Sequence, residues 1–318
     1  MTGAGGVSFV LTVYNKERHL EATLRSVLGQ EGDFARQVIV VDDGSKDRSL
    51  EIASDILADQ PDARVIQQAN RGPARALNAG VAAATMAVVK PFDGDDLMTP
   101  DATQRLLAGL ERPDVVLVRG DRKPFPHPGA TLAIDRQGRA PEFRYMEDPL
   151  PFAIRHSFAG CSDILFRRPA FVACGGCDAS VFVQDYSLVW RLAIGNVFAI
   201  TDDIIAFSPP EDESNLSSNR AQVEHDRNAA LLGLVRDYPD LPHALKRTAL
   251  RRAAGRAWKW ARRINASPWG MDRAFWISLL SYLPWLPGYE GWLGATLAPY
   301  RVSGEIRLPN REDQHDGV

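Results

Sequence analysis

The sequence has few cysteines, no long apolar run and little net charge, and each shortage excludes a class of protein. Three cysteines in 318 residues are too few, and odd in number, for a secreted fold held together by disulfides. No apolar run reaches the length of about 18 residues that a membrane-spanning helix needs. The first residues lack the basic and apolar regions of a secretory signal. We therefore expect a cytoplasmic protein, or one bound peripherally to the inner face of a membrane.

Charge is nearly balanced over the whole chain but unevenly distributed along it. The 37 Lys and Arg residues and 40 Asp and Glu residues give a net charge of -3, which argues against a nucleic-acid binder or a disordered tail. Residues 1–215 carry 22 basic and 30 acidic side chains, whereas residues 216–318 carry 15 and 10. We predict two units divided at this point, with different partners and no nucleic acid among them.

Short apolar segments alternate with helical patterns through the first third of the chain. Strands are predicted at residues 7–13, 38–41, 64–67, 86–89 and 115–118. Helical patterns of about ten residues separate most of them, which is typical of βαβ units. The predicted fold class is therefore α/β, with a mostly parallel sheet flanked by helices.

The pattern changes after residue 120. Five prolines interrupt residues 121–150 and indicate a loop-rich insertion that could include a hairpin. A strand at 162–166, a helix at 187–194 and a strand at 197–201 are expected next. The polar segment 208–219 predicts a linker, and helices at 220–236 and 241–264 predict a helical C-terminal region.

Aspartates follow the predicted strands. Asp42 and Asp43 end the second strand, three aspartates lie within residues 93–96 after the fourth, and Asp185 precedes a predicted helix. Ligands of an open parallel sheet bind beyond the carboxyl ends of its strands. Three clustered carboxylates repel one another unless a cation neutralises them, and oxygen ligands suit Mg²⁺ or Mn²⁺. The alternative is a solvated acidic turn whose aspartates cap helices.

Five segments, taken together, resemble the family-2 glycosyltransferases, which are enzymes of the GT-A fold that use nucleotide sugars. The resemblance covers roughly residues 7–219. The segments are VSFVLTVYNK (7–16), VIVVDDGSKD (38–47), NRGPARALNAG (70–80), DGDD (93–96), and GGCD (175–178) followed by QDYSLVWR (184–191). Each segment alone is a weak signal, whereas five in the family's order are specific.

The resemblance implies which residues bind the nucleotide. Thr12 and Tyr14 would line the base pocket, and Asp43 would contact the uracil ring. Arg75 and Asp93 would also bind the nucleotide. The implied partner is a nucleotide-sugar donor, specifically a UDP-sugar.

The resemblance also implies the chemistry. Asp95 and Asp96 would hold a Mg²⁺ or Mn²⁺ ion that stabilises the leaving diphosphate. Asp185 would act as the base that deprotonates the acceptor hydroxyl, and a single displacement implies inversion at the anomeric carbon. The implied enzyme is an inverting, metal-dependent glycosyltransferase that adds one sugar to a cell-surface glycan or lipid-linked acceptor. No Q-x-x-R-W motif of processive synthases is present.

The chain departs from the family pattern at several positions. Gln184 stands where an acid usually precedes the base, and no Tyr-Arg-x-His segment follows the last strand. His225 could substitute, although we interpret it as a surface residue of a helix. Cys174 and Cys177 resemble half of a zinc or redox site, but only Cys161 remains to complete it, so we assign neither function.

Two other functions remain open. A nucleotide-sugar-binding protein without activity would be consistent with these departures. A sugar nucleotidyltransferase would share the acids at the strand ends, but it normally has a glycine-rich phosphate loop after the first strand, where residues 12–17 have none.

The C-terminal region has a basic helix beside an aromatic segment. Residues 241–271 contain no acid, and helical spacing places Arg252, Arg256, Lys259 and Arg263 on one face. The opposite face is apolar and comprises Leu250, Ala253, Ala257, Ala261 and Ile264. Tryptophan and tyrosine are frequent from residue 275 onward. This combination suits docking at an anionic membrane surface, and the alternative is a helical unit packed on the catalytic core.

Overall fold

The computed structural model of the chain describes residues 6–125, 139–156, 158, 160–209, 219–265, 273–283, 286–303 and 306–307. Its internal contacts divide the chain into two units. The first unit comprises Met1–Pro149, Ala159–Cys177 and Leu192–Pro210, and the second comprises Leu150–Phe158, Asp178–Arg191 and Glu211–Val318.

Half of the sheet in the first unit is parallel. Its strands, in chain order, are β1 (Val7–Val13), β2 (Arg36–Asp42), β3 (Ala63–Gln67) and β4 (Val88–Asp93). The intervening helices are α1 (Leu20–Leu28), α2 (Ser49–Leu57) and α3 (Pro73–Ala83). The spatial order is β3-β2-β1-β4, and all three pairings are parallel. This half confirms the predicted βαβ arrangement.

The other half of the sheet is mixed. It contains the strands β5 (Leu97–Met98), β6 (Val115–Pro124), β7 (Arg144–Met146), β8 (Ile164–Arg167) and β9 (Val197–Ser208). The helices α4 (Ala102–Ala108) and α6 (Arg168–Ala173) belong to the same unit. Strand β8 is antiparallel to both β4 and β6, whereas β6 and β9 are parallel. The sheet is therefore less uniformly parallel than predicted.

Strands β6 and β9 are longer than the sequence pattern indicates. Residues 121–124, part of the predicted loop-rich insertion, continue β6 and pair with β9. Strand β7 also pairs with β9 in antiparallel fashion, so the described part of the insertion joins the sheet without forming a hairpin of its own. Residues 126–138 of the insertion, and residues 210–218 of the predicted linker, lie outside the described residues.

The core of the first unit lies between the sheet and its helices. Strand β1 is buried along almost its whole length, as expected for a parallel strand covered on both faces. Helix α1 packs Leu20, Leu24 and Val27 against that core because these residues recur at helical spacing. Each such side chain contributes about 1.5–3 kcal/mol by leaving water. The packed sheet fixes where β1, β2 and β4 end.

The second unit is helical. Its helices are α5 (Leu150–Arg155), α7 (Gln184–Leu192), α8 (Arg220–Asp237), α9 (His243–Asn265), α10 (Arg273–Leu280), α11 (Tyr289–Ala295) and α12 (Ala298–Ser303). The last residue of α7, Leu192, is counted with the first unit. The proposed division at residue 215 therefore differs from the contact division at α5 and α7. The Trp190 indole donates to the Ala153 carbonyl at 3.0 Å, and both helices are held within the C-terminal unit. No helix in the described ranges is both long and apolar enough to cross a bilayer.

The basic face predicted for α9 is wrong at Arg256. Arg256 lies between helices, where its Nε donates to Asn228 Oδ1 at 2.9 Å and approaches Glu224 at 3.5 Å. Burial lowers the pKa of Arg256 to about 10, although Glu224 opposes the change. Ile264, which helical spacing places on the apolar face, is exposed. The buried face of α9 is wider than a single stripe, because α8 and α10 both pack on it.

Candidate active site

The ends of β1, β2 and β4 lie side by side. Thr12 is level with Asp93 across one strand pairing, and Val13 is level with Asp42 across the other. Backbone bonds tie the turns that follow: Asp43 N donates to Val13 O at 2.8 Å, and Gly94 N donates to Thr12 O at 3.2 Å. The structure thus brings Thr12, Asp43 and Asp93 to one edge of the sheet.

Asp43 holds the loop that follows β3. One carboxylate oxygen accepts from Gln68 Nε2 at 2.7 Å and from Arg71 N at 2.9 Å, and the other accepts from Gly72 N at 2.8 Å. Gly44 brings this loop close, because a Cβ there would lie 2.9 Å from Asn70 N. Asp43 therefore fixes the entry to α3, a structural role that sequence reasoning missed. Its contact with a nucleotide base stays a prediction.

Two more predicted nucleotide-binding residues flank this loop. Tyr14 follows β1 and is half-buried, and Arg75 lies half-buried in the first turn of α3. The neighbouring Asp42 is almost fully buried, and its Oδ1 accepts no hydrogen bond from the described residues. The binding of a nucleotide by Tyr14 and Arg75 stays a prediction.

The aspartates at residues 93–96 have cationic partners within the protein. The Asp95 carboxylate is ion-paired with the Lys16 ammonium group. Asp96 is buried, and its Oδ2 accepts from Arg122 Nη1 at 2.7 Å. Arg122 also contacts Asp163 at 3.0 Å. Burial raises the pKa of Asp96, and the Arg122 guanidinium opposes that rise. Protein cations thus neutralise part of the predicted repulsion.

The turn fits a divalent cation only in part. Asp93 and Asp95 offer the oxygen atoms that Mg²⁺ and Mn²⁺ prefer, and both are partly exposed. Asp96 is the weaker candidate because Arg122 holds its carboxylate. Among the described residues, no group of three or more side chains is arranged as a preformed metal site. An ion here would therefore need further ligands besides these carboxylates.

A buried lysine lies beneath this turn. Lys90 in β4 has no exposed surface, and its Nζ donates to Ser162 O at 2.7 Å and Pro91 O at 3.1 Å. Burial lowers the pKa of Lys90 to about 8, although Asp163 opposes the change. Asp93 N in turn donates to Ser162 Oγ at 3.1 Å. Lys90 thereby links β4 to the turn before β8. The sequence signal for this role is a lysine within the apolar segment that forms β4.

Asp185 belongs to the second unit. Helix α7 begins at Gln184, so Asp185 lies in its first turn, and its Oδ1 accepts from Tyr186 N at 2.9 Å. The sequence pattern started this helix three residues later. The guanidinium of Arg227 lies over the Tyr186 ring at 4.4 Å. The role of Asp185 as the base stays a prediction.

The cysteines and His225 have structural surroundings. All three cysteines are free, and Cys161 and Cys177 are buried. Cys177 N donates to Asn78 Oδ1 at 2.9 Å, and Asn78 Nδ2 donates to Cys177 O at 3.0 Å. These bonds join two of the motif segments. His225 is buried beside Asp226 at 2.9 Å, so its interpretation as a surface residue is wrong.

Comparison with known proteins identifies the family. The family model for glycosyl transferase family 2 matches residues 8–171, slightly more than half of the chain. The chain belongs to glycosyl transferase family 2. The predicted recognition and the enzyme class, a glycosyltransferase, are thereby confirmed.

Curated relatives of this family-2 glycosyltransferase match part of it. An uncharacterised glycosyltransferase of Nostoc sp. is 38% identical over 111 residues, which is 35% of this chain and 34% of the relative. The poly-beta-1,6-N-acetyl-D-glucosamine synthase of Staphylococcus epidermidis is 27% identical over 194 residues, which is 59% of this chain and 45% of the synthase. The chain therefore spans less than half the length of either relative.

Solved structures share the fold over most of the chain. Residues 1–349 of S. aureus TarS align with a TM-score of 0.59 and 15% identity, covering 95% of this chain and 93% of TarS 1–349. The mannosyltransferase PcManGT from Pyrobaculum calidifontis aligns with a TM-score of 0.62 and 19% identity, covering 95% and 87%. The GT-A-type α/β fold predicted from the sequence is confirmed.

Proposed function

We propose that this family-2 glycosyltransferase moves one sugar from a nucleotide sugar, specifically a UDP-sugar, to a cell-surface glycan or lipid-linked acceptor, with inversion and with help from Mg²⁺ or Mn²⁺. The main support is the shared edge of β1, β2 and β4, where Thr12, Asp43 and Asp93 meet beside the Asp95 turn. This is the edge at which an open sheet binds its ligand.

Structural neighbours support the donor class. TarS has been crystallised with UDP-GlcNAc and with UDP, and PcManGT with GDP-Man and Mn²⁺. A nucleotide sugar is therefore the ligand class that we assign to this edge. We favour UDP because the relatives include synthases of an N-acetylglucosamine polymer, and the same relatives point to the cell envelope.

The chain's own residues suggest how the reaction is arranged. Asp43 fixes the loop that leads to Arg75, while Thr12 and Tyr14 border the base. Asp95, with Asp93, would hold the cation, whose charge stabilises the diphosphate as it leaves. The Lys16 ammonium group, which is ion-paired with Asp95, would be a second positive charge beside the metal ion. It is suited to contact the phosphates of the leaving diphosphate. We assign to Asp185 the removal of the acceptor hydroxyl proton.

A donor panel tests this function. Purified protein with Mn²⁺ is incubated with UDP-sugars and GDP-mannose, and free nucleoside diphosphate is measured with and without glycan acceptors. We expect UDP release from at least one UDP-sugar, reduced to a small residual rate in Asp185→Asn but unchanged in Asp240→Asn, an exposed acid of the same unit. UDP binding without turnover would favour a non-catalytic binder. Pyrophosphate release from UTP and a sugar phosphate would favour a nucleotidyltransferase.

We further propose that the second unit docks on the cytoplasmic face of an anionic membrane. Helix α10 and the residues after it expose Trp276, Leu279, Tyr282 and Leu283, an unusual number of large apolar side chains for a surface. Arg251 lies over the Tyr282 ring at 4.7 Å. Helix α9 exposes basic side chains that could pair with anionic headgroups: Arg252, Lys259, Arg262 and Arg263. Aromatic rings and basic side chains together suit the interface of a bilayer.

Liposome sedimentation tests the docking surface. The double variant Trp276→Ser, Leu279→Ser should bind anionic liposomes at least tenfold more weakly than the native chain, because each lost side chain forfeits about 1.5–3 kcal/mol of burial. Val172→Ser, which removes an exposed apolar residue of the first unit, is the matched control and should bind normally. Equal binding by all three proteins would contradict the docking surface.

A further inference from the structure

Helix α8 has a cluster of three buried polar side chains on one face. Gln222, His225 and Asp226 are spaced so that all three lie together on the helix, and none is more than 2% exposed. Burying a carboxylate is costly unless hydrogen bonds replace its water. The hydrogen-bond partners of the Asp226 carboxylate therefore indicate the structural role of this cluster.

Asp226 binds the backbone immediately before α7. Its Oδ2 accepts from Phe182 N at 2.9 Å and from Val183 N at 3.0 Å. Its Oδ1 accepts from Gln222 Nε2 and lies beside His225 Nδ1, both at 2.9 Å. Two of these contacts hold the α7 entry, and the other two fix the carboxylate that does so.

The same segment is also anchored at its start. Asp178 N donates to Ser187 Oγ at 3.1 Å, and Asp178 Oδ1 accepts from Ser180 N at 2.8 Å. Residues 178–183 are thus tied to α7 at one end and to α8 at the other. Asp185 follows Val183 by two residues, so its position depends on both anchors.

Helix α8 also contacts the first turn of α7 through its next residue. Arg227 stacks on the Tyr186 ring, and Tyr186 N bonds to Asp185. Burial opposes the charge of Arg227, but Tyr186, Glu224 and Asp185 outweigh it and raise the pKa of its guanidinium. Two consecutive residues of α8 therefore act on the turn that carries Asp185, one through the backbone and one through charge.

We propose that Asp226 is a positioning residue that holds Asp185 in place for proton transfer, an inference that rests on the proposed role of Asp185 as the base. A base must lie within hydrogen-bond reach of the proton that it removes. A displacement of about 1 Å can lower a rate about 100-fold. Asp226 supplies this restraint from a neighbouring helix, and its own side chain is buried.

The test compares two substitutions of Asp226. Asp226→Ala removes both backbone acceptors and should lower kcat about 10- to 100-fold, while the Kd for UDP changes less than twofold. Asp226→Asn keeps one oxygen for Phe182 N and Val183 N, so it should retain at least a third of the native kcat. Gln222→Leu loosens the carboxylate without removing it and should lower kcat about threefold to fivefold, which keeps the proposal testable if Asp226→Ala does not fold.

A double-mutant cycle separates positioning from general damage. Asp226→Ala or Gln222→Leu, added to Asp185→Asn, should cause no further loss of the residual turnover, because the positioned group is already absent. An unchanged kcat in the single variants, or losses that multiply in the double variants, would overturn the positioning role. Native turnover in Asp185→Asn alone would instead refute the proposed function on which this role rests.

Discussion

Replacing Asp43 by alanine should both destabilise the first unit and disorder the loop between β3 and α3. The carboxylate accepts three hydrogen bonds, from the Gln68 side chain and from the backbone N–H groups of Arg71 and Gly72. Alanine leaves all three donors without this partner. Because Gly72 is buried, water cannot readily replace the lost bond at that position.

The expected cost can be worked out from these contacts. A buried donor left unsatisfied costs about 1–3 kcal/mol, and the two partly buried donors cost less because water reaches them. We therefore expect Asp43→Ala to lower the free energy of unfolding by about 2–4 kcal/mol. Asp43→Asn retains one acceptor oxygen and should lose about half as much. The matched control is Asp59→Asn, an exposed acid of the same unit, which should change stability by less than about 0.5 kcal/mol.

Urea unfolding followed by fluorescence measures these differences, and calorimetric titration with UDP measures binding on the folded protein. Asp43→Ala should weaken UDP binding at least tenfold, because the loop leading to Arg75 is no longer fixed. Native stability in Asp43→Ala would refute the structural role of Asp43. Native stability together with lost UDP binding would mean that Asp43 contacts the base directly and does not hold the loop.

Three further substitutions test the charges and turns around the site. Burial lowers the pKa of Lys90 to about 8 in the folded state, so the native chain should gain stability as pH rises above that value and the lysine loses its charge. The free energy of unfolding of Lys90→Met, measured relative to the native chain, should therefore fall by roughly 2 kcal/mol between pH 8 and pH 10. A difference that does not change with pH would contradict this. Arg122→Met should cost about 3–5 kcal/mol, since it leaves buried carboxylates unpaired, whereas Arg144→Met at an exposed ion pair should cost less than about 1 kcal/mol; equal costs in urea unfolding would refute the buried pairing. Gly176→Ala should destabilise about 1–3 kcal/mol more than Gly195→Ala, because both glycines have positive φ but only the first would place a Cβ 2.8 Å from a neighbouring oxygen; equal effects would show that the surroundings relax.

The sequence predicted the parallel half of the sheet well because its signals are local. Apolar runs such as Val7–Val13 and β2 are bounded by turn residues, and the helices between them have a clear apolar face. The acids at residues 42–43 and 93–96 could be placed at one edge because parallel strands bring their carboxyl ends together. Both the strand ends and the family motifs therefore pointed to the same place.

The partners of those acids were not predictable because each pairing joins distant parts of the chain. Lys16 lies inside a recognised motif, yet nothing in its spacing links it to Asp95, 79 residues later. Arg122 lies in a segment that the prolines marked as a loop, although β9 extends it as a strand. Only Lys90 gave a local signal, since a charged residue interrupts an apolar strand.

The helical region shows the limit of periodicity as a guide. The pattern placed Arg256 on an unpaired basic face, whereas α9 packs against neighbours on more than one side and buries most of this side chain. Helix α7 precedes residue 215 in sequence, but its entry is held by Asp226 of α8. Periodicity indicates which faces of a helix are apolar, but it does not indicate how many other helices will cover them.

The most direct test of the central claim is a crystal structure of the protein with UDP and Mn²⁺, with data collected near the manganese absorption edge. We predict an anomalous peak bonded to Asp95 and to the diphosphate, with uracil beside Thr12 and Tyr14. We also predict the Asp185 carboxylate on the side where the sugar would lie. UDP bound away from the ends of β1, β2 and β4, or Asp185 farther from the diphosphate than a bound sugar spans, would contradict the account.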